Sequence, residues 1–532
     1  MTRRPTGLLL LLIGSLAAPG CAREHFFQPD ARVPGSTATA PDSARVTAGR
    51  HYRRNAIGRL WFGPHYRAVW AQPVTLPVLD LARAVPGGPL TAGKMGGGFQ
   101  TTSMTLNGAG DRTYALRSLD KDPYKTLPKV LRHTFVLNVV RDATSAGNPY
   151  GAFVVPPLAQ AAGVLHTVPR PFYVPANEQG LGSASKRFQG KVVLLEEKYE
   201  SKQNLGPVFG PNAVDLEESD DVLASVYQDA QHYIDQPAFL RARLLDLWLG
   251  DWDRHEGQWD WVAYRQPNGR LLYRPIPIDR DQVFFRFDDG VLPWLASKAV
   301  RKFRTFGPRY ESVEGYTRNA RFIDSRCLNE PTRAQYAATA TALQQALTDE
   351  VISTAARRLP REVYQLEGAR LEAGLRARRA ELPRVAMEFY RLQAKEVVVP
   401  GTDGSERFVV ERLSDTLTVV SVFSQPKDEA PAQLLYRRRF HPTETKLVTL
   451  HGLGGKDVFE LRGQVRHSPR IDIYGGPGED TVADSSRVAG LRKMTRFYDT
   501  KRNNNAELAS ELKVKTQSGV TTHAFDRDGS GR

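Results

Sequence analysis

The 532-residue chain is 41% hydrophobic and 25% charged. That balance supports large apolar cores and excludes wholesale disorder, a collagen-like fibre and a polytopic membrane protein. Its net charge of +15 is scattered and no nucleic-acid module motif is present, so no nucleic-acid partner is expected; the two cysteines, Cys21 and Cys327, exclude a disulfide scaffold and a multi-cysteine zinc module.

Residues 1–21 open with Met1-Thr2-Arg3-Arg4, followed by an apolar run from Leu8 to Ala18. The run is shorter than the ~20 residues a bilayer span needs and has the size of a signal-peptide core. Ala17-Ala18-Pro19-Gly20-Cys21 resembles a bacterial lipobox, although Pro19 and the missing leucine three residues before the cysteine depart from that pattern. The resemblance implies an exported lipoprotein of the cell envelope, anchored to a membrane through Cys21 and facing the periplasm or cell surface. Residues 22–56, rich in Pro, Ser, Thr, Ala and Gly, read as a flexible linker.

From 57 to 215 the pattern is of short strands, among them Ser103–Leu106, Thr113–Leu119 and Val192–Leu195, interrupted by a helix over Ala152–Val164. From 216 to 395 it is helical. Leu240–Leu249 has apolar residues at helical spacing, and Leu343, Leu347, Val351, Ala355 and Leu359 recur every four residues. From 396 to 532 strands return at Glu396–Val399, Thr416–Val422 and Leu434–Tyr436, with Gly/Asp turns, no long internal repeat and a polar, frayed tail. The expected class is α+β, with a two-lobed domain followed by a mainly β domain.

Four of the seven tryptophans fall at Trp248, Trp252, Trp259 and Trp261. There a helix ends at Gly250, and the polar turn Asp251-Trp252-Asp253-Arg254-His255-Glu256-Gly257-Gln258 follows. Two strands then flank Gln266-Pro267-Asn268-Gly269, a hairpin signal. The second strand ends in Ile278-Asp279-Arg280-Asp281. Helix, acidic turn, hairpin, acidic turn is the order a kinase active site requires: a loop Asp takes the acceptor's proton, an amide five residues on and an Asp beyond the hairpin hold the metal.

Asp253-Arg254-His255 with Ile278-Asp279 resembles the atypical secreted kinases of the Golgi casein kinase group. It is similar also to the wider set of spore-coat-H kinases, HipA-type toxin kinases and phosphatidylinositol 4-kinases. The resemblance spans residues 95–290. It implies a protein-kinase-like two-lobed fold using ATP with Mg²⁺ or Mn²⁺, Asp253 as the catalytic-loop Asp, and Asp279 as a metal ligand. Gln258 stands where that family has a metal-binding Asn, and Asp281 is the second choice of ligand. Gly96, Gly97 and Gly98, in a glycine-rich turn before two strands, are candidate phosphate binders. Arg117 occupies the position of the phosphate-pairing lysine, and Lys121, four residues on and beyond the expected strand end, is carried beside it. The helix over Ala152–Val164 would be the regulatory helix but has no Glu to pair the cation. Glu196 and Glu197 fall where the chain enters an interlobe hinge and are candidate ribose ligands.

In the β-rich part, Gly452–Phe459 and Gly475–Val482 carry Gly/Asp turns, and the second fits the calcium repeat of haemolysin-type β-rolls. That resemblance makes Asp457 and Asp480 candidate Ca²⁺ ligands; the alternative is glycine turns in a β-sandwich or short solenoid. A metallophosphoesterase is excluded, because neither a Gly-Asp-x-x-Asp nor a Gly-Asn-His element follows Asp253-Arg254-His255. Two functions stand. One is an exported phosphotransferase acting on an acceptor of unknown class. The other is a non-catalytic envelope lipoprotein, a pseudokinase scaffold with a calcium-stabilised β domain that docks to an outer-membrane protein.

Overall fold

The structure, a computed structural model, describes residues 22–23, 25–36, 40, 42–96, 101–425, 431–500, 504–507, 511–517 and 525–529. It is an α+β chain in which a sheet-rich lobe and a helical body are followed by a strand-rich C-terminal region.

Residues 22–56 are not a linker over their described length. Ser43–Val46 pairs antiparallel with Val74–Pro77, and Phe26, Ala31, Ala44, Val46 and Tyr52 are buried in the main core. Low apolar content hides this segment, because its few buried residues are widely spaced and some, such as Ala31 and Ala44, are small. A short helix, α1 (Ala56–Phe62), has Asn55 as its N-cap and no buried residue.

The first lobe is a five-stranded sheet of β1 (Thr91–Gly96), β2 (Thr101–Asn107), β3 (Thr113–Lys121), β4 (Arg170–Tyr173) and β5 (Val192–Lys198), in the order β1-β2-β3-β5-β4. Its core joins Met104, Leu106 and Leu116 to Val193 and Leu195. Strand β3 reaches two residues beyond the expected Leu119. Thr101 pairs with Lys121 while Ser103 pairs with Arg117, so β3 carries a bulge, closed by Ser118 Oγ donating to the Asp120 carbonyl at 2.7 Å. Helix α2 (Phe135–Ala143) lies between β3 and β4 in the chain. The stretch over Ala152–Val164 is a 3₁₀ turn (Gly151–Val154) running into a helix at Val155–Ala161. Its Val155, Leu158 and Ala159 are buried in the main core, so it serves the helical body and not the sheet's cation.

The helical body is built around α3 (Gln236–Leu249). Asp235 caps its start and Gly250, at φ 71°, ends it. Helix α3 is apolar on nearly every side and is buried accordingly. Its last carbonyls would be orphaned in the core, but Arg378 donates to those of Leu247 (2.6 Å) and Trp248 (2.8 Å). Arg378 belongs to the 34-residue helix Arg361–Ala394. A four-stranded sheet places β6 (Ala213–Glu218) and β7 (His232–Ile234), which precede α3, on either side of the hairpin β8 (Trp259–Arg265) and β9 (Leu271–Pro277), which follows it, in the order β6-β8-β9-β7. Helix α4 (Val291–Ala299) follows.

The C-terminal region is a two-sheet solenoid and does contain a repeat. In one sheet β10 (Glu396–Pro400), β11 (Leu447–His451), β12 (Arg470–Tyr474), β13 (Thr495–Thr500) and β14 (Leu512–Gln517) run parallel. Opposite them Val458–Arg462, Thr481–Asp484 and Asn505–Glu507 stack in parallel on a hairpin of 406–424. Leu447 pairs with Arg470 and Val458 with Thr481, 23 residues on in each case. The repeat is one of backbone geometry and inward apolar alternation (Val448, Leu450, Phe459, Ile471, Ile473), with little residue identity, which is why it does not stand out in the sequence. The tail is likewise not frayed where it is described: two strands extend the sheets, and Phe525 packs edge-on against Tyr227 and tilted against His451.

Candidate active site

The site is built from two turns and one strand. Gly250 releases the chain from α3 into Asp251-Trp252-Asp253-Arg254. Hairpin β8–β9 returns it to Asp279-Arg280-Asp281. Strand β3 supplies Arg117 and Lys121.

What fixes the two turns is a buried ionic cluster beneath them. Asp246 on α3 pairs with Arg243 (2.9 Å), Arg254 (3.3 Å) and Arg280. Asp251 pairs with Arg280 (3.2 Å) and Arg254 (3.8 Å), and Asp324 with Arg243 (2.6 Å). Three guanidinium and three carboxylate groups thus sit out of water together, where only pairing makes their burial tolerable. Arg254 does more: it donates to the carbonyls of Gln258 and Ile278, both at 2.7 Å, and its guanidinium lies 4.6 Å from the Trp259 ring centroid. It pins the first acidic turn to the second. Arg280 points down into this cluster, so its neighbours Asp279 and Asp281 point the other way.

Asp279 adopts φ 53°, a conformation non-glycine residues hold only when their surroundings enforce it. Its Oδ1 lies 3.5 Å from Arg117 Nη1, and Asp281 pairs with Lys121. Residues four apart on a strand share a face, and the bulge takes up two residues of β3 and keeps that parity, so Arg117 and Lys121 both reach this side. Arg117 also contacts Glu196 Oε2 at 3.4 Å, while Glu196 accepts from Thr167 Oγ1. The carboxylate that pairs the strand cation therefore comes from the adjacent strand β5, two residues along from the pairing of Arg117 with Leu194. Asp253 is within electrostatic reach of Lys121 and Asp281. Its Oδ1 accepts from Asn319 Nδ2 at 2.6 Å, which leaves Oδ2 for another partner.

The Gln258 amide bridges the turns in either orientation. In one, Oε1 accepts from Arg254 Nη1 at 3.3 Å and Nε2 donates to Asp279 Oδ2 at 3.5 Å. Turned over, the nitrogen donates to the carbonyls of Asp279 (3.1 Å) and Ile278 (3.2 Å), and Oε1 faces the Asp279 carboxylate, as two oxygens do about a shared cation.

The two acids of the second turn are driven apart. Burial pushes both carboxyls up. At Asp279 the cations Arg117 and Lys121 outweigh it and bring the group down to about 2. At Asp281 burial and then the Asp279 charge prevail over Lys121, raising it to about 6. Such divergence between neighbouring acids is a mark of functional sites. Among the described residues, the four carboxylates of Asp253, Asp279, Asp281 and Glu196 are set against the cations Arg117 and Lys121, a formal surplus of negative charge; Arg280, which also acts on Glu196, is paired in the cluster beneath. Carboxylates plus an amide oxygen with that surplus suit a hard divalent ion. Among the described residues no group of three or more His, Cys, Asp or Glu is already arranged as a metal site; the carboxylates of Asp279 and Asp281 are turned to Arg117 and Lys121.

These features can be set beside known proteins. No family model matches the chain, and no curated protein matches it. Three solved structures are similar to parts of it. A proinflammatory kinase, CtkA, from Helicobacter pylori is 11% identical with a TM-score of 0.28, covering 54% of this chain and 93% of that one. The Shewanella oneidensis HipA–HipB toxin–antitoxin complex with operator DNA is 12% identical at 0.24, covering 59% and 78%. The Rio2 kinase from Chaetomium thermophilum, in an ADP/Mg²⁺-phosphoaspartate complex, is 16% identical at 0.23, covering 53% and 72%.

The remaining candidates lie elsewhere. Glu197 faces away from the cluster, accepting from Asn204 Nδ2 at 2.8 Å. Gly96 is exposed at the end of β1; Gly97, Gly98 and Cys21 fall outside the described residues. Asp457 and Asp480 sit on successive solenoid rungs. Asp457 Oδ1 accepts from the Glu406 N–H (2.8 Å), Asp480 Oδ1 from the Asp457 N–H (3.0 Å), and Asn504 Oδ1 from the Asp480 N–H (2.9 Å). The side chains thus form a ladder that stitches rung to rung. Sequence reading passed over Asp246, Arg280 and Asn319. The first two are ordinary charges in a row of many, and Asn319 lies in no motif, between two short helices.

Proposed function

We propose that the protein is a kinase-like phosphotransferase of the cell envelope. The observation that carries this reading is the convergence of Asp253, Gln258, Asp279 and Asp281 from two pinned turns on Arg117 and Lys121 of a facing strand. Gln258, Asp279 and Asp281 would hold Mg²⁺ or Mn²⁺, which when bound with ATP neutralises charge on the phosphates. Asp253, oriented by Asn319, takes the proton from the acceptor hydroxyl as its oxygen bonds to the γ-phosphorus and the bond to the leaving ADP oxygen breaks. Arg117 and Lys121 supply positive charge to the phosphoryl oxygens. In a loose transition state such positioning and charge make up most of the catalysis, and Glu196 keeps Arg117 in place. A lipid on Cys21 would hold the enzyme at a membrane.

One observation favours the second reading, a non-catalytic scaffold docking to an envelope partner: Asp279 and Asp281 are already paired to Arg117 and Lys121. The two readings separate in one experiment. Residues 22–532 are heated with and without ATP and Mn²⁺, and incubated with labelled ATP and envelope extract. A metal-dependent rise in melting temperature together with label transfer supports the enzyme. No rise and no transfer with any divalent ion assigns the scaffold.

A further inference from the structure

We infer that helices α1 and α4 form a docking face for an anionic lipid bilayer, separate from the phosphotransferase site and from any lipid on Cys21. Helix α1 buries none of its residues, yet carries Ile57 (69% exposed), Leu60 (63%) and Trp61 (47%). Helix α4 lies against it and presents Val291, Trp294 and Leu295, which are also exposed. Six large apolar side chains on two adjoining helices form the kind of contiguous patch that monomeric proteins seldom leave in water.

The charge around the patch selects its occupant. Residues 50–62 contain Arg50, Arg53, Arg54 and Arg59 and no carboxylate; residues 290–304 contain Lys298, Arg301, Lys302 and Arg304 and none either. Arg53, Arg59, Lys298 and Arg301 are exposed, and Lys298 Nζ stands 5.3 Å from the Trp294 ring centroid. The acids beside the patch are paired: Asp142 with Arg54 (2.6 Å), Asp289 with His65, and Glu311, which also acts on Lys298, with Arg304 (3.7 Å), while among the described residues Arg53, Arg59, Lys298 and Arg301 make no ion pair. Apolar and tryptophan side chains ringed by a surplus of cations match the interface of an anionic bilayer, where rings sit at headgroup depth and each Lys or Arg near the surface adds attraction. A second copy of this chain would bring like charge against like.

The start of the described chain is tied to α2, the helix whose Asp142 holds Arg54 just before α1. The Ala22 N–H donates to the His133 carbonyl at 3.0 Å and the Arg23 N–H to Asn138 Oδ1 at 2.9 Å. Asn138 and Asp142, which holds Arg54 just before α1, are one turn apart on α2.

The test uses residues 22–532, which hold every described element and lack Cys21, sedimented with phosphatidylcholine vesicles with or without phosphatidylglycerol. The wild type should bind the anionic vesicles and not the neutral ones. Trp61→Ser with Trp294→Ser should weaken that binding at least about tenfold, and Arg59→Glu with Lys298→Glu should abolish the preference for anionic vesicles. All these residues are exposed, so unchanged melting curves confirm intact folds. The proposal is overturned if the wild type fails to bind anionic vesicles, or if the tryptophan variant binds equally well. A wild-type dimer in solution that the same variant splits would assign the face to a second copy and overturn it also. A metal-dependent nucleotide shift measured on each sample reports on the phosphotransferase reading alone.

Discussion

Replacing Arg254 by leucine tests the pin between the two acidic turns. The wild-type guanidinium makes two hydrogen bonds to carbonyls at 2.7 Å, each of the charge-assisted kind worth ~1.5–3 kcal/mol. It also neutralises part of a cluster that, without it, has Asp246, Asp251 and Asp324 against Arg243 and Arg280. Removing one member of such a buried set costs roughly 3–5 kcal/mol. The variant has an escape: Asp251, whose carboxyl burial already raises even against the pull of Arg254 and Arg280, can take a proton. A carboxyl raised in the folded state makes that state bind more protons than the unfolded chain, so stability falls as pH rises through the window above the ordinary carboxylate value. The deficit of Arg254→Leu should therefore be larger at alkaline than at acidic pH. Denaturant unfolding followed by tryptophan fluorescence is the assay, since Trp248, Trp252, Trp259 and Trp261 surround the pin. A loss below ~1 kcal/mol at every pH would refute the reasoning and make Arg254 a bystander.

Three further outcomes are expected. Asn319→Ala should lower turnover ~10–100-fold, because a misplaced reacting group costs about that much, while melting and nucleotide binding stay unchanged; wild-type turnover would show that Asp253 is not held by Asn319. In the solenoid, burial pushes Asp457 up to about 9 and Asp480 to about 7, so the folded region holds protons that the unfolded chain releases, and its melting temperature should fall as pH rises from 5 to 9. One pKa unit is ~1.4 kcal/mol, and Asp457→Asn, which keeps the ladder without the charge, should flatten that slope; a melt that instead drops on calcium chelation and ignores pH would assign Ca²⁺ to these carboxylates. Palmitate labelling should mark the wild type and not Cys21→Ser, and equal labelling of both, or of neither, would remove the lipid anchor.

How much of this was legible in the sequence varied with the physics. The hairpin at Gln266–Gly269 and the helix ending at Gly250 were readable because turn and cap chemistry is local. The grouping of Asp253, Gln258, Asp279 and Asp281 followed from that order of elements, since the hairpin brings its two flanks together. Lys121 was placed off the strand because a bulge leaves no residue signature, and its accommodation depends on the partner strand. Sequence position makes Glu196 a candidate ribose ligand, whereas the geometry turns it to Arg117, a contact set by sheet register. The solenoid repeat was invisible because its rungs share an inward apolar alternation and little identity. The folded character of residues 22–56 leaves little trace in the sequence because its few buried residues, from Phe26 and Tyr52 to Ala31 and Ala44, are scattered among polar ones.

In the proposed mechanism Asp253 and Asp279 divide the labour of the site, and one comparison tests that division. Residues 22–532 carrying Asp253→Ala or Asp279→Ala are assayed side by side for Mn²⁺-dependent ATP binding by thermal shift and for transfer of labelled phosphate. Asp253→Ala should keep the shift and lose transfer, since Asp253 faces the acceptor, whereas Asp279→Ala should lose both, since Asp279 faces the metal. A wild type with neither shift nor transfer, or two variants that keep wild-type transfer, would contradict the account.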